Sequence, residues 1–149
     1  MNLDRARCEE LLFDCGHGIL ATRHPLRGVD AVPVCFVIDG DSLAVPVDRV
    51  KPKVSTDLER VRNLDRDARG VLLCDHWDPD DWSRLWWVRA SLTLVVVDGA
   101  RRDGFEASLR RKYPRYRGGD FADVLGFRVT GIAGWSAGPM DGRSATPSD

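Results

Sequence analysis

Apolar and polar positions follow two different rhythms along this chain, and each change of rhythm marks an element. From Leu3 to Asp14 the apolar residues Leu3, Leu11, Leu12 and Phe13, set among Arg and Glu, suit a short surface helix ended near Gly16. Gly18 to Thr22 and Ala31 to Ile38 are rich in small, aliphatic or β-branched residues and are separated by Pro25 and Gly28, which predicts strand, loop, strand. Asp39-Gly40-Asp41 makes a tight turn into a third strand, Ser42 to Val47. The run Thr56-Asp57-Leu58-Glu59 has the form of a capping box, with the Thr56 hydroxyl accepting from the Glu59 amide. In the helix it opens, Leu58, Val61 and Leu64 form one stripe and leave Arg60, Arg62 and Asp65 toward solvent or a partner. Strand character resumes at Val71 to Cys74 and, after an acidic and aromatic loop from Asp75 to Trp82, at Leu85 to Val97. Asp103 with Glu106 is the expected cap of a third helix. Its last turn carries Arg110, Arg111 and Lys112 at the negative end of the helix dipole, and Pro114 stops it. Val124 to Trp135 is the last predicted strand.

Six strands, peripheral helices and frequent turn signals predict a mainly β (α+β) fold, a six-stranded antiparallel barrel with helices at its ends. The domain is expected to span 1–136, with 137–149, rich in Gly, Pro, Ser and Asp, as a disordered tail. A length of 149 residues leaves room for one domain. Twenty-two Lys plus Arg against 23 Asp plus Glu gives a net charge of −1, so no global field draws the chain toward nucleic acid or an acidic membrane. No apolar run approaches the roughly 20 residues that span a bilayer, and Met1 to Glu10 is charged rather than signal-like. A cytoplasmic protein is the expectation. Cys8, Cys15, Cys35 and Cys74 are scattered without a CxxC pair, which argues against a disulfide framework.

Only three of the 22 basic residues are lysines, yet Lys51 and Lys53 lie two positions apart. They belong to Asp48-Arg49-Val50-Lys51-Pro52-Lys53-Val54-Ser55-Thr56, where three cations and two hydroxyls lead into a helix N-terminus. Amides at a helix start point outward with positive partial charge, so this run is either a solvated basic loop or a phosphate site. Arg60, four residues after Thr56, continues the same face by one turn. Cys15-Gly16-His17 and Cys74-Asp75-His76 each place a thiol and an imidazole two residues apart, but that spacing is not one a zinc site uses, and no metal is expected. Nothing adjacent in sequence supplies a lowered thiol pKa, so the cysteines have no evident nucleophilic role. Four of the five tryptophans lie between Trp77 and Trp87. Adjacent strand residues face opposite ways, so Trp86 and Trp87 cannot both enter one core; the outward one calls for a subunit interface or a flat aromatic ligand.

The succession Gly18-Ile19-Leu20-Ala21-Thr22, Val32-Pro33-Val34-Cys35-Phe36, Lys51-Pro52-Lys53, Arg62-Asn63-Leu64 and Asp81-Trp82-Ser83-Arg84-Leu85-Trp86-Trp87-Val88-Arg89 resembles the flavin and deazaflavin oxidoreductases with the split β-barrel of pyridoxamine 5′-phosphate oxidase. The likeness is greatest to the coenzyme F-420-dependent branch. It implies an FMN-binding type of split barrel, forming a homodimer with cofactor clefts between subunits. It also implies that Lys51 and Lys53, with Ser55 and Thr56, hold the cofactor phosphate. Backbone near Val34 and Cys35 and near Val47 and Asp48 would border the ring system, and Trp87 and Arg89 are candidates for the same cleft. The function so implied is hydride transfer from reduced F-420 to a small oxidised organic substrate. The alternatives are an FMN-dependent oxidoreductase and a non-catalytic module binding a deazaflavin or haem. The cofactor carries the chemistry in such proteins, so no catalytic residue is assigned; Tyr113 and His76 are the groups available as proton donors.

Overall fold

Asp4 opens the first helix: its carboxylate accepts from the Arg7 amide at 2.8 Å, and α1, Arg5–Asp14, follows. The computed structural model describes residues 1–48 and 58–140, Asp48 in its backbone only. Along it come β1 (Gly18–His24), β2 (Gly28–Val34), β3 (Val37–Asp39), β4 (Ser42–Asp48), α2 (Glu59–Arg66), β5 (Arg69–His76), β6 (Trp86–Val95), α3 (Gly99–Lys112) and β7 (Phe121–Ser136). Short 3-10 turns at Trp82–Arg84 and Pro114–Tyr116 precede β6 and β7.

Among the described residues there are seven strands where six were expected, because the strand predicted over Ala31 to Ile38 is broken at Cys35-Phe36. Phe36 is fully buried, and its backbone bonds to side chains at the end of α3: its N–H donates to the Tyr113 hydroxyl at 3.1 Å and its carbonyl accepts from Lys112 Nζ at 3.0 Å. Two expected caps also move. Asp98, not Asp103, caps α3, accepting from the Arg101 amide at 2.8 Å, so that helix starts earlier than the Asp103 signal implied. Leu58, not Thr56, is the N-cap of α2. Thr56 lies outside the described residues.

All strand pairings are antiparallel, in the order β2-β1-β5-β6-β7-β4-β3. The two edge strands, β2 and β3, are consecutive in the chain. Three Cα–Cα steps of about 3.8 Å join Val34 to Val37, so the sheet has to curl until its edges nearly meet. Bulges at Val47/Asp48 and Ser91/Leu92 sharpen the curl. Alternation fills the interior: Leu20, Leu72, Val88, Leu43, Val45 and Phe127 are buried in one cluster with Leu12 of α1 and Leu64 of α2. On the other side of β3 and β4, Val37 and Ala44 pack with Leu109, Tyr116, Phe121 and Val124 beneath α3. α1 lies against β7 because Gly134 has no side chain: a Cβ there would stand 2.6 Å from Cys8 Sγ. Past the expected end of the domain, the Ala137 amide donates to the Leu85 carbonyl at 2.9 Å and Met140 packs against the core. Among the described residues no helix is long and apolar enough to cross a membrane.

Candidate functional site

The segment expected to hold phosphate leaves β4 at Asp48 and returns at α2. Lys51, Lys53, Ser55 and Thr56 lie outside the described residues, as does the Asp48 side chain. Both anchors of the segment are well fixed. Val47 is buried and pairs with Asp123 of β7. On α2, Leu64 is buried in the core with Leu58 and Val61 packed against it. A polar tether adds direction: Asn63, fully buried, donates to Thr22 Oγ1 at 3.0 Å and to Asp30 Oδ2 at 2.9 Å. Asp30 in turn receives a two-pronged bond from Arg27 at 2.9 Å. That bond, reinforced by Asn63, draws the Asp30 carboxyl down to about 2. Arg60 is half-buried on the first turn of α2, and the N-cap Leu58 puts no side-chain acceptor on that turn's amides.

His24, Asp30 and Glu59 have ligand atoms all within 4.8 Å of one another. A guanidinium already serves this cluster. Arg27 grips both Asp30 oxygens and lies 4.0 Å from Glu59, and the His24 Nδ1 accepts from the Leu26 and Arg27 amides.

The residues expected to border the ring fall into two groups. Val34 and Val47 are buried in the same core cluster, at the seam where β2 gives way to β3, and Cys35 between them and α3 is half-buried. Trp87 and Arg89 are on the outer face of the sheet, where the Arg89 guanidinium sits 5.2 Å above the Trp87 ring. Within one chain the structure does not bring the two groups together. Trp86 turns inward against the core and stacks on His76 with ring centroids 6.3 Å apart. Trp87 turns outward, opposite Trp135 of β7 and Asp75 of β5. The same face carries Pro33, Ile19, Leu73, Arg89 and Ala133 in one cross-strand row, with Leu73 38% exposed.

At the seam itself the structure assembles a corner that no local signal announced. The Tyr113 hydroxyl donates toward the Gly16 carbonyl at 2.8 Å and lies 3.1 Å from the Phe36 carbonyl, while accepting from the Phe36 amide. Burial pushes its pKa up to about 12, so the phenol keeps its proton at neutral pH. Lys112 places Nζ 4.0 Å above the Phe36 ring. Beneath these sit Cys15 and Cys74, whose sulfurs approach one oxygen, the His17 carbonyl, at 2.9 and 3.7 Å. Sequence hides this corner because its members come from the end of α1, from the β2–β3 junction, from β5 and from the end of α3.

A groove of about 690 Å³ runs between β3, α3 and the end of α1, floored by Val37, Ile38 and Phe105 and edged by Phe13, Arg101 and Arg111.

No protein-family model matches the chain, and no curated protein matches it. Solved structures do match its fold. A FAD-binding protein from Mesorhizobium loti superposes with a TM-score of 0.66 at 12% identity, covering 90% of this chain and 95% of its own. HutZ, the haem storage protein from Vibrio cholerae, does so at 0.62 and 13% identity, over 86% of this chain and 92% of its own. The FAD-binding protein from Mycobacterium smegmatis gives 0.56 at 14% identity, over 90% and 94%. The same fold is shared with structures described as pyridoxamine 5′-phosphate oxidases from Corynebacterium glutamicum and Listeria innocua, at TM-scores of 0.58 and 0.61 and identities of 14% and 13%. At such identities the likeness is one of architecture, and it leaves the expected fold class standing with seven strands in place of six.

Proposed function

We propose that this chain is an oxidoreductase holding a phosphorylated flavin-type coenzyme, and that the coenzyme is the deazaflavin F-420. The observation that carries the reading is the split barrel whose β4-to-α2 connection contains Lys51, Lys53, Ser55 and Thr56. The donor set suits a phosphate: two ammonium groups, two hydroxyls and the amides of a helix whose N-cap is an apolar leucine. Arg60 on that helix adds a guanidinium. The backbone at Val34 to Cys35 and at Val47 to Asp48 would flank the ring, where the buried Val34 and Val47 keep water away. When bound, reduced F-420 supplies a hydride to a small oxidised organic substrate. The chain's own part is to fix the phosphate, orient the ring and exclude solvent from the reacting face.

A homodimer belongs to this reading. The apolar outer row Pro33, Ile19, Leu73 and Ala133, with Trp87 and Trp135 beside it, would meet a second copy. That contact would bring the partner's surface to the cleft that Trp87 and Arg89 do not reach in their own chain. The FMN reading keeps the same cations and is favoured by the flavin-binding proteins among the structural matches.

The test is a titration of the purified chain with F-420, FMN and haem, followed by turnover of reduced F-420 with quinones, nitroaromatics and enones. Micromolar F-420 binding with oxidation by at least one acceptor supports the proposal. FMN binding without F-420 binding replaces it with the second reading. Haem binding alone, or F-420 binding without turnover by any acceptor, makes the chain a binding module.

A further inference from the structure

We infer that Cys15 and Cys74 form a thiol pair that a hydroperoxide oxidises to a disulfide, with Cys15 attacking and Cys74 resolving. Three of the four cysteines converge on the corner closed by Tyr113, although the sequence scatters them. The Cys15 thiol donates to the His17 carbonyl at 2.9 Å, and the Cys74 sulfur reaches the same oxygen at 3.7 Å. The two sulfurs reach the same oxygen, and each lies close enough to hydrogen-bond the other. Cys74 has room to do so because Gly18 lacks a side chain: a Cβ there would stand 3.2 Å from its sulfur.

The two thiols differ in the way an attacking and a resolving thiol must. Cys15 is half-buried, beside the exposed Gly16 and His17, whereas Cys74 is buried on the inner face of β5. An oxidant entering from solvent meets Cys15 first. Charge favours the same order. Lys112 is half-buried and pairs with no carboxylate among the described residues; its ammonium stands over the corner. The hydrogen bond from Cys74, then the amide and charge around His17 and Lys112, hold the Cys15 thiol below its ordinary range. The neighbouring Cys15 and burial push Cys74 up, so it keeps its proton until it resolves. Asp14 and Asp75 are the acidic neighbours and Cys35 the third thiol near Lys112. Cys8, buried against Gly134 with Asp4 and Glu9 nearby, is pushed up and lies apart from the corner.

The chemistry balances in two steps. The Cys15 thiolate attacks the outer oxygen of the hydroperoxide; the S–O bond forms, the O–O bond breaks and the leaving alkoxide takes a proton. Cys15 is now a sulfenic acid, and the peroxide is reduced to an alcohol or, for hydrogen peroxide, water. The Cys74 sulfur then attacks Cys15; the S–S bond forms and hydroxide departs as water with the Cys74 proton. Two equivalents of a small thiol return the pair to its reduced state, themselves oxidised to a disulfide.

The experiment uses the full chain, reduced and freed of reductant, treated with cumene hydroperoxide and mapped by peptide mass spectrometry. A Cys15–Cys74 cross-linked peptide that disappears with dithiothreitol is the expected result. Cys74→Ser should stop at a sulfenic acid on Cys15 that dimedone traps, and Cys15→Ser should leave Cys74 unmodified. Iodoacetamide should label Cys15 of the untreated wild-type chain about tenfold faster than Cys35. A disulfide joining Cys15 to Cys35, oxidation confined to Cys8 or Cys35, or equal labelling of Cys15 and Cys35 would overturn the assignment. The wild-type mapping and labelling need no substitution, so a variant that fails to fold leaves them decisive. None of these readouts requires a bound coenzyme.

Discussion

Tyr113 clamps the backbone of Phe36 at the junction between β2 and β3. The Phe36 amide donates to the Tyr113 hydroxyl at 3.1 Å, and the same hydroxyl reaches back to Gly16 at 2.8 Å. Two side chains at the end of α3, Tyr113 and Lys112, thus bond the Phe36 backbone where the run from β2 into β3 is broken.

Tyr113→Phe should therefore cost about 1–3 kcal/mol, because it strands the amide of a buried residue without an acceptor. Chemical denaturation of both chains measures the difference. Unchanged stability in the Tyr113→Phe variant would mean that water replaces the hydroxyl.

Asn63→Ala should destabilise by a similar amount, about 1–3 kcal/mol, since Thr22 is nearly fully buried and loses its partner. The variant should also loosen α2 from β1, and coenzyme affinity should fall with it. Hydrogen exchange of the α2 amides reports the loosening directly.

Asp30 gives the fold an acid limit. Its folded pKa of about 2 lies below the ordinary aspartate value of 3.8, so its contribution is complete above pH 3.8 and is lost as pH falls through 2. The melting temperature of the wild-type chain should exceed that of Asp30→Asn at pH 6, and the gap should close by pH 2. A gap that stays constant across this range would remove Arg27 and Asn63 as its cause.

The paired lysines carry the coenzyme proposal. Lys51→Ala with Lys53→Ala should weaken binding by about 1.5–3 kcal/mol for each charge-assisted bond removed. Fluorescence titration of the folded double variant with F-420 and FMN checks this; unchanged affinity for both would move the phosphate elsewhere.

Gly134→Ala should be among the most damaging single-methyl additions, because the new carbon would press on Cys8 Sγ at 2.6 Å and on the Trp87 carbonyl at 3.1 Å. A loss of about 1–3 kcal/mol is expected from overpacking, with α1 displaced from β7. Thermal melting of the variant gives the value.

Strand propensity and turn residues made the strands readable from sequence, and alternation alone set Trp86 and Trp87 on opposite faces. The break at Cys35-Phe36 was not readable, because the groups that cause it, Lys112 and Tyr113, lie far along the chain: Tyr113 is 97 positions from its partner Gly16. The same distance hid the thiol corner. Asp98 lost to Asp103 as the expected cap because both are good N-cap residues, and only the end of β6 at Val95 decides between them. The basic run at Lys51 and Lys53 was legible because everything in it is local.

The sheet order has a consequence for how the molecule is made. Leu43 pairs with Phe127, so β4 waits for the last strand of the chain. While a ribosome is still extending the polypeptide, the β3–β4 hairpin emerges early with its bonding edge bare, and it stays sticky until β7 arrives. Slow, late closure is the expected folding behaviour. A nascent chain halted before Phe121 would clump rather than fold.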